Sequence, residues 1–116
     1  MFHVIIAGGR EFQDYDLLTQ KCDIFFSQKK PTAIICGGAR GADSLGQRYG
    51  EEHGIDISLY PADWKKYGRR AGMVRNKEML QDADALVAFW DGHSHGTKNM
   101  IEIALEKGIP VRVVYY

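Results

Sequence analysis

The chain has 116 residues, with 15 Lys plus Arg against 15 Asp plus Glu and a formal net charge of zero. That length holds one core and leaves no room for a separate substrate domain, so residues 1–116 are expected to form a single domain. Electroneutrality argues against non-specific nucleic-acid binding, and no run approaches the roughly 20 apolar residues that cross a bilayer.

The first residues start a strand, not a basic leader, and with no membrane partner implied a cytoplasmic protein is expected. A strand near 3–7 is predicted from the apolar run Val4 to Ala7, and it ends in the turn Gly8-Gly9-Arg10. A helix near 14–28 places Tyr15, Leu18, Cys22, Phe25 and Phe26 on one apolar face. Pro31 precedes a second strand near 32–36, which runs into Gly37-Gly38-Ala39-Arg40-Gly41-Ala42-Asp43 and opens a helix near 42–53. That helix carries Ala42, Leu45 and Tyr49 on its apolar face, with Gly46 and Gly50 permitting close packing. Gly54 ends it before a third strand near 55–60.

A long loop over 61–72 follows, and then a helix near 71–82, a strand near 84–89, a helix near 97–107 closed by Gly108, and a last strand near 111–115 after Pro110. Strand and helix alternate, which predicts right-handed crossovers and a parallel sheet covered on both faces. Strands one, two and four are continuously apolar, whereas the third and fifth alternate with polar residues and are therefore the edges. The order 3-2-1-4-5 satisfies this and puts the reversal of direction between strands one and four. Cys22 and Cys36 lack zinc or disulfide spacing and read as buried, reduced thiols.

Chemistry is expected at the carboxyl ends of the strands. Glycines after a buried strand let backbone amides approach a ligand, and the N-terminus of the next helix adds free N–H groups. Gly8, Gly9, Arg10, Gly37, Gly38, Arg40, Gly41 and Asp43 are candidate ligand-binding residues on this ground. The second turn fits neither G-x-G-x-x-G nor G-x-x-x-x-G-K-[ST], so no dinucleotide or triphosphate cofactor is expected. A tight connection of strand to helix explains the same glycines, and Asp43 either complements the helix dipole or accepts from a sugar hydroxyl.

The segment from Trp90 to Thr97 supplies Trp90, Asp91, Ser94, Gly96 and Thr97 as further candidates. Ser94 and Thr97 also suit capping and turn formation, and Trp90 also suits a half-buried core position. His93 and His95 lack a third ligand, so no metal site is expected. His3 and His53 read as structural or solvent-facing. Residues 63–78 hold Lys65, Lys66, Arg69, Arg70, Arg75 and Lys77 against Asp63 and Glu78, a local positive excess on the ligand side of the sheet. A solvated face is the plain alternative. Asn76 falls on an apolar face between Met73 and Leu80, where an amide needs partners, either within the core or on a ligand.

Gly8-Gly9-Arg10, Gly38 to Asp43, Pro61-Ala62-Asp63-Trp64, Ala71 to Asn76 and Phe89 to Thr97, in this order over nearly the whole chain, resemble the YspA and YpsA-related branch of the SLOG superfamily. The resemblance implies a single-domain, Rossmann-like three-layer α/β sandwich that binds nucleotides or nucleotide-derived molecules, with Asp63, Trp64 and Asn76 joining the ligand set. The superfamily includes the Lonely-guy phosphoribohydrolases and the DNA-processing protein DprA. Arg75-Asn76-Lys77-Glu78-Met79 is similar to the Arg-Lys-x-x-Met stretch of the former, and Gly96-Thr97 to part of their Pro-Gly-Gly-x-Gly-Thr-x-x-Glu turn. Met100 stands where that turn has its catalytic Glu, and Glu102, two places later, is turned about 200° from it.

Three expectations follow. The first is a binding domain for a nucleoside phosphate or an ADP-ribose-like ligand, with no cofactor. The second is hydrolysis of the base–ribose bond of a nucleoside 5′-monophosphate, with Arg75 and Asp91 as catalytic candidates. The third is a DprA-like association with nucleic acid through the Lys65 to Arg70 loop, which zero net charge disfavours. The small core and edge strands admit a homo-oligomer.

Overall fold

The computed structural model describes Met1–Tyr116, and its five parallel strands lie in the order β3-β2-β1-β4-β5. The strands are β1 (His3–Gly8), β2 (Ala33–Cys36), β3 (Asp56–Leu59), β4 (Ala85–Trp90) and β5 (Val111–Tyr115). The helices are α1 (Tyr15–Phe25), α2 (Ala42–Glu52), α3 (Trp64–Tyr67), α4 (Ala71–Gln81) and α5 (His95–Lys107). The edges are the two strands whose apolar residues alternate.

Successive side chains of a strand point to opposite faces, and β1 shows how this builds two cores. Val4 and Ile6 pack with Leu18 and Cys22 of α1, Ala42 and Tyr49 of α2, and Ile34, Val87 and Phe89. Ile5 and Ala7 pack on the opposite face with Met79 and Leu80 of α4, Met100, Ile101 and Ala104 of α5, and Ile35, Leu86 and Ala88. Each large aliphatic side chain buried in this way contributes about 1.5–3 kcal/mol. The result is a three-layer sandwich with two helices on each face. No helix is long and apolar enough to cross a membrane.

Close approach depends on missing side chains. A Cβ on Gly46 would lie 2.7 Å from Ile6 Cγ2, and one on Gly50 would lie 2.4 Å from Ile57 Cδ1, so α2 settles directly onto the sheet.

Three differences from expectation exceed one residue. Helix α1 stops at Phe25 instead of 28: Phe26 N–H makes the last helical bond, to Cys22 O, and the Ser27 N–H and hydroxyl both turn to Ile24 O, three residues back. The expected loop over 61–72 contains α3 and a 3-10 turn at Gly68–Arg70. Asp63 starts α3 by accepting from Lys66 N at 3.1 Å, a cap for a helix too short to show apolar periodicity. Helix α5 starts at His95, two residues early, with Ser94 as its first flanking residue.

Candidate functional site

The carboxyl ends of β1, β2 and β4 come together beside the reversal of strand order, the place where open parallel sheets bind ligands. A cavity of about 770 Å³ opens there, over β1 and between α4 and α5. Of the expected residues, Gly8, Gly9, Arg10, Asp43, Trp64, Arg75, Asn76, Asp91, Ser94, Gly96 and Thr97 line it.

The two glycine turns abut. Gly41 has φ +78, and a Cβ there would lie 2.3 Å from Gly9 O. The Ala42 amide donates to the same Gly9 oxygen at 3.2 Å, so the start of α2 is clamped to the end of β1. A Cβ on Gly9 would collide with the Tyr116 hydroxyl, which brings the chain's last aromatic onto the cleft wall. Tyr116 is itself held against Phe12, with ring centroids 4.7 Å apart.

Gly37 serves another purpose. A Cβ on it would lie 2.1 Å from Arg75 Nη1 and 2.7 Å from Asp43 Oδ2, so its bare backbone lets these two charges converge at the end of β2. Arg75 Nη1 donates to Gly37 O at 2.6 Å, and Asp43 Oδ2 accepts from the Ala39 amide at 3.2 Å. Asp43 is only 6% exposed, and burial pushes its carboxyl pKa up against the opposing pull of Arg75, the Ala39 and Gly37 amides, and Arg10. Burial likewise lowers the Arg75 guanidinium, with Asp43 acting against it.

Asn76 is a buried amide with its partners supplied. Its Nδ2 donates to Gly96 O at 3.3 Å and to Asn99 Oδ1 at 3.1 Å, while its Oδ1 accepts from Arg75 Nε at 3.2 Å. It thereby ties α4 to the first turn of α5 and steadies Arg75. The turn before α5 is built by Asp91, whose Oδ1 accepts from the amides of His93 at 2.8 Å and Ser94 at 2.9 Å. Those two amides, Ser94 first, hold the Asp91 carboxyl below its ordinary range. Ser94 makes no side-chain cap, and the first intrahelical bond runs from Lys98 N to Ser94 O. The amides at the start of α5 are thus left for water or a ligand.

Several expected residues stand off the cleft. Gly37 and Gly41 shape it from behind, and Gly38 faces solvent at φ +75 with open space around it. Arg40 turns away to pair with Glu11 Oε1 at 2.6 Å, both ends of the pair exposed. It lines a shallow second depression with Phe12, Gln13 and Ser44. Asp63 is spent on capping α3. The Trp90 indole packs on Tyr115 at 5.8 Å and donates from Nε1 to Ser94 O at 3.0 Å, so it braces the turn from outside the cleft lining. Of the expected basic loop only Arg69 reaches the cleft, while Lys65, Lys66 and Arg70 are exposed outside its lining.

Other wall residues escaped the sequence reading, among them Lys98, Asn99, Glu102 and Tyr116. Met100 packs into the core beneath α5 and reaches the cleft floor, while Glu102 stands exposed on the wall. Facing away from Met100 does not remove Glu102 from the cavity, because the cleft runs along α5 for two turns. Four cations, Arg10, Arg69, Arg75 and Lys98, and four carboxylates, Glu11, Asp43, Asp91 and Glu102, therefore share the lining.

The family described as YAcAr, the YspA, cpYpsA-related SLOG family, matches residues 2–67. The Gene 61 protein of Mycobacterium phage D29 is 35% identical over 121 residues, an alignment covering 96% of this chain and 94% of that protein. No solved structure matches.

Proposed function

This chain belongs to the YspA, cpYpsA-related SLOG family, and on that premise we propose that it binds a nucleotide or nucleotide-derived phosphorylated ligand, a nucleoside phosphate or an ADP-ribose-like molecule, in the cleft at the strand ends. Membership suggests a nucleotide-related function. The observation that carries the finer reading is the convergence on one cavity of the uncapped start of α5, the Gly8 to Arg10 turn and Arg75. Helix amides and guanidinium groups favour a phosphate, and the four carboxylates among them suit the hydroxyls of a sugar, which donate. A bare polyanion would meet those carboxylates unfavourably, which favours a small molecule over a nucleic-acid strand.

The test is thermal unfolding with nucleoside mono- and diphosphates, NAD and ADP-ribose. A ligand at 100 times its Kd adds about 2.7 kcal/mol and raises Tm by several degrees. No shift at millimolar concentration, together with no nucleotide released on denaturing the purified protein, overturns the reading.

A second reading is cleavage of the base–ribose bond of a nucleoside 5′-monophosphate. It is favoured by Asp91 and Glu102 lining the same cleft as Arg75, carboxylates that stand in for the one lost where Met100 occupies the usual Glu position. Free base detected by chromatography and lost in Asp91→Asn or Glu102→Gln supports it. Absence of base release from each of the four ribonucleoside 5′-monophosphates rejects it.

A further inference from the structure

The two tryptophans have opposite environments. Trp90 is covered by Tyr115 and its indole N–H is bonded, whereas Trp64 is 52% exposed, packs on no other ring and lines the cleft. Met73, also 52% exposed and on the same lining, lies on α4 beside Gly72. The indole reaches α4 next to Met73, since a Cβ on Gly72 would meet Trp64 Cη2 at 3.9 Å and nothing else. An indole and a thioether left uncovered on the lining of one cavity form an apolar shelf, a flat and polarisable face that suits a planar ring. Asp63 fixes the shelf from below by starting α3 at Trp64, so the indole sits on a capped turn and not on a free loop.

We propose that the Trp64–Met73 shelf is the subsite for the planar heterocyclic base of the ligand, while the Gly8 to Arg10 turn and the start of α5 take its phosphate. This rests on the reading given under Proposed function and deepens it: Trp64 and Met73 hold the base of that ligand, and a sugar phosphate without one binds poorly. Stacking on an aromatic face tolerates any base, so the shelf selects for the presence of a ring more than for its identity. Arg69, on the same stretch of lining, adds a cation beside the stacked ring.

Calorimetry separates the subsites by comparing ribose 5-phosphate with the four ribonucleoside 5′-monophosphates on the full chain, its Trp64→Ala and Trp64→Phe variants, and Met73→Ala. The nucleotides should bind the unaltered protein about 5- to 150-fold more tightly than ribose 5-phosphate, the range expected for stacking one base. Trp64→Ala should bring the nucleotides down to the affinity of ribose 5-phosphate and leave that affinity unchanged, Trp64→Phe should keep most of the difference, and Met73→Ala should lose part of it. Equal binding of nucleotide and ribose 5-phosphate by the unaltered protein overturns the shelf while leaving the phosphate site intact. So does a Trp64→Ala variant that keeps the full preference, or one that weakens both ligands alike. Binding of neither ligand class overturns the shelf as a mononucleotide subsite, and the reading beneath it falls with the shelf when the thermal panel with diphosphates, NAD and ADP-ribose is silent as well.

Discussion

Removing Arg75 should cost stability through one specific partner. In Arg75→Met the Gly37 carbonyl loses its charged donor, Asn76 Oδ1 loses the Nε bond, and Asp43 keeps its buried carboxylate with less positive charge nearby. A hydrogen bond from a charged group is worth about 1.5–3 kcal/mol, and stripping the partner from a fully buried charge costs about 3–5 kcal/mol. Because the guanidinium is only partly buried, the lower part of this span applies, about 2–4 kcal/mol out of the 5–15 typical of a domain. Urea denaturation followed by circular dichroism measures it. Asp43→Asn keeps an acceptor for the Ala39 amide but removes the charge, so in that background Arg75→Met should cost about 1 kcal/mol less. Costs that add to within about 0.5 kcal/mol in the double variant would refute the claim that the two charges act as a pair.

The pH response has a definite sign. Burial raises the folded-state pKa of Asp43 above its ordinary 3.8, so the folded chain holds that proton more tightly than the unfolded one. The resulting contribution is complete below about pH 3.8 and is lost as pH rises through the raised value, so Asp43→Asn should gain on the parent protein as pH climbs from about 3.8; a constant difference in unfolding free energy would count against it. Gly38→Ala and Gly41→Ala impose the same change at nearly equal φ, +75 and +78, but only the second drives a Cβ against Gly9 O. The first should cost about 1 kcal/mol and the second about 2–4 kcal/mol, and equal costs would show that the clamp between the turns is loose. Cys22 and Cys36 are fully buried, and burial pushes the Cys22 thiol up to about 12 and Cys36 higher still. A thiol reagent at pH 8 should label neither in the native protein and both in urea, as counted by mass spectrometry.

Sheet order was legible because burial on two faces leaves a different trace from burial on one: Val4 to Ala7 and Leu86 to Phe89 are unbroken, whereas Val111 and Val113 flank the exposed Arg112. Strand ends then located Gly8, Gly9, Arg10, Asp91 and Thr97 without any coordinates. Helix α3 was hidden because four residues cannot display a period, and Asp63 was its one local signal. Arg40 and Trp90 could not be aimed from sequence, since the direction of each depends on a partner, Glu11 and Tyr115, brought close only by folding. Tyr116 and Glu102 were missed for a related reason. A cleft is bounded by whatever runs alongside it, and neither the end of β5 nor the second turn of α5 announces that neighbour in its own residues.

Strand β1 is made before the other four strands yet occupies the middle of the sheet, with Val4 in register with Ile34 on one side and Ala85 on the other. Until Ala85 has left the ribosome, one flank of a wholly apolar strand has no native mate, and its amides and carbonyls are open to any extended segment nearby. The nascent chain therefore cannot mature piecemeal from its beginning. It is exposed to premature association until β4 has been made, an interval in which a holding chaperone would raise the yield of folded protein.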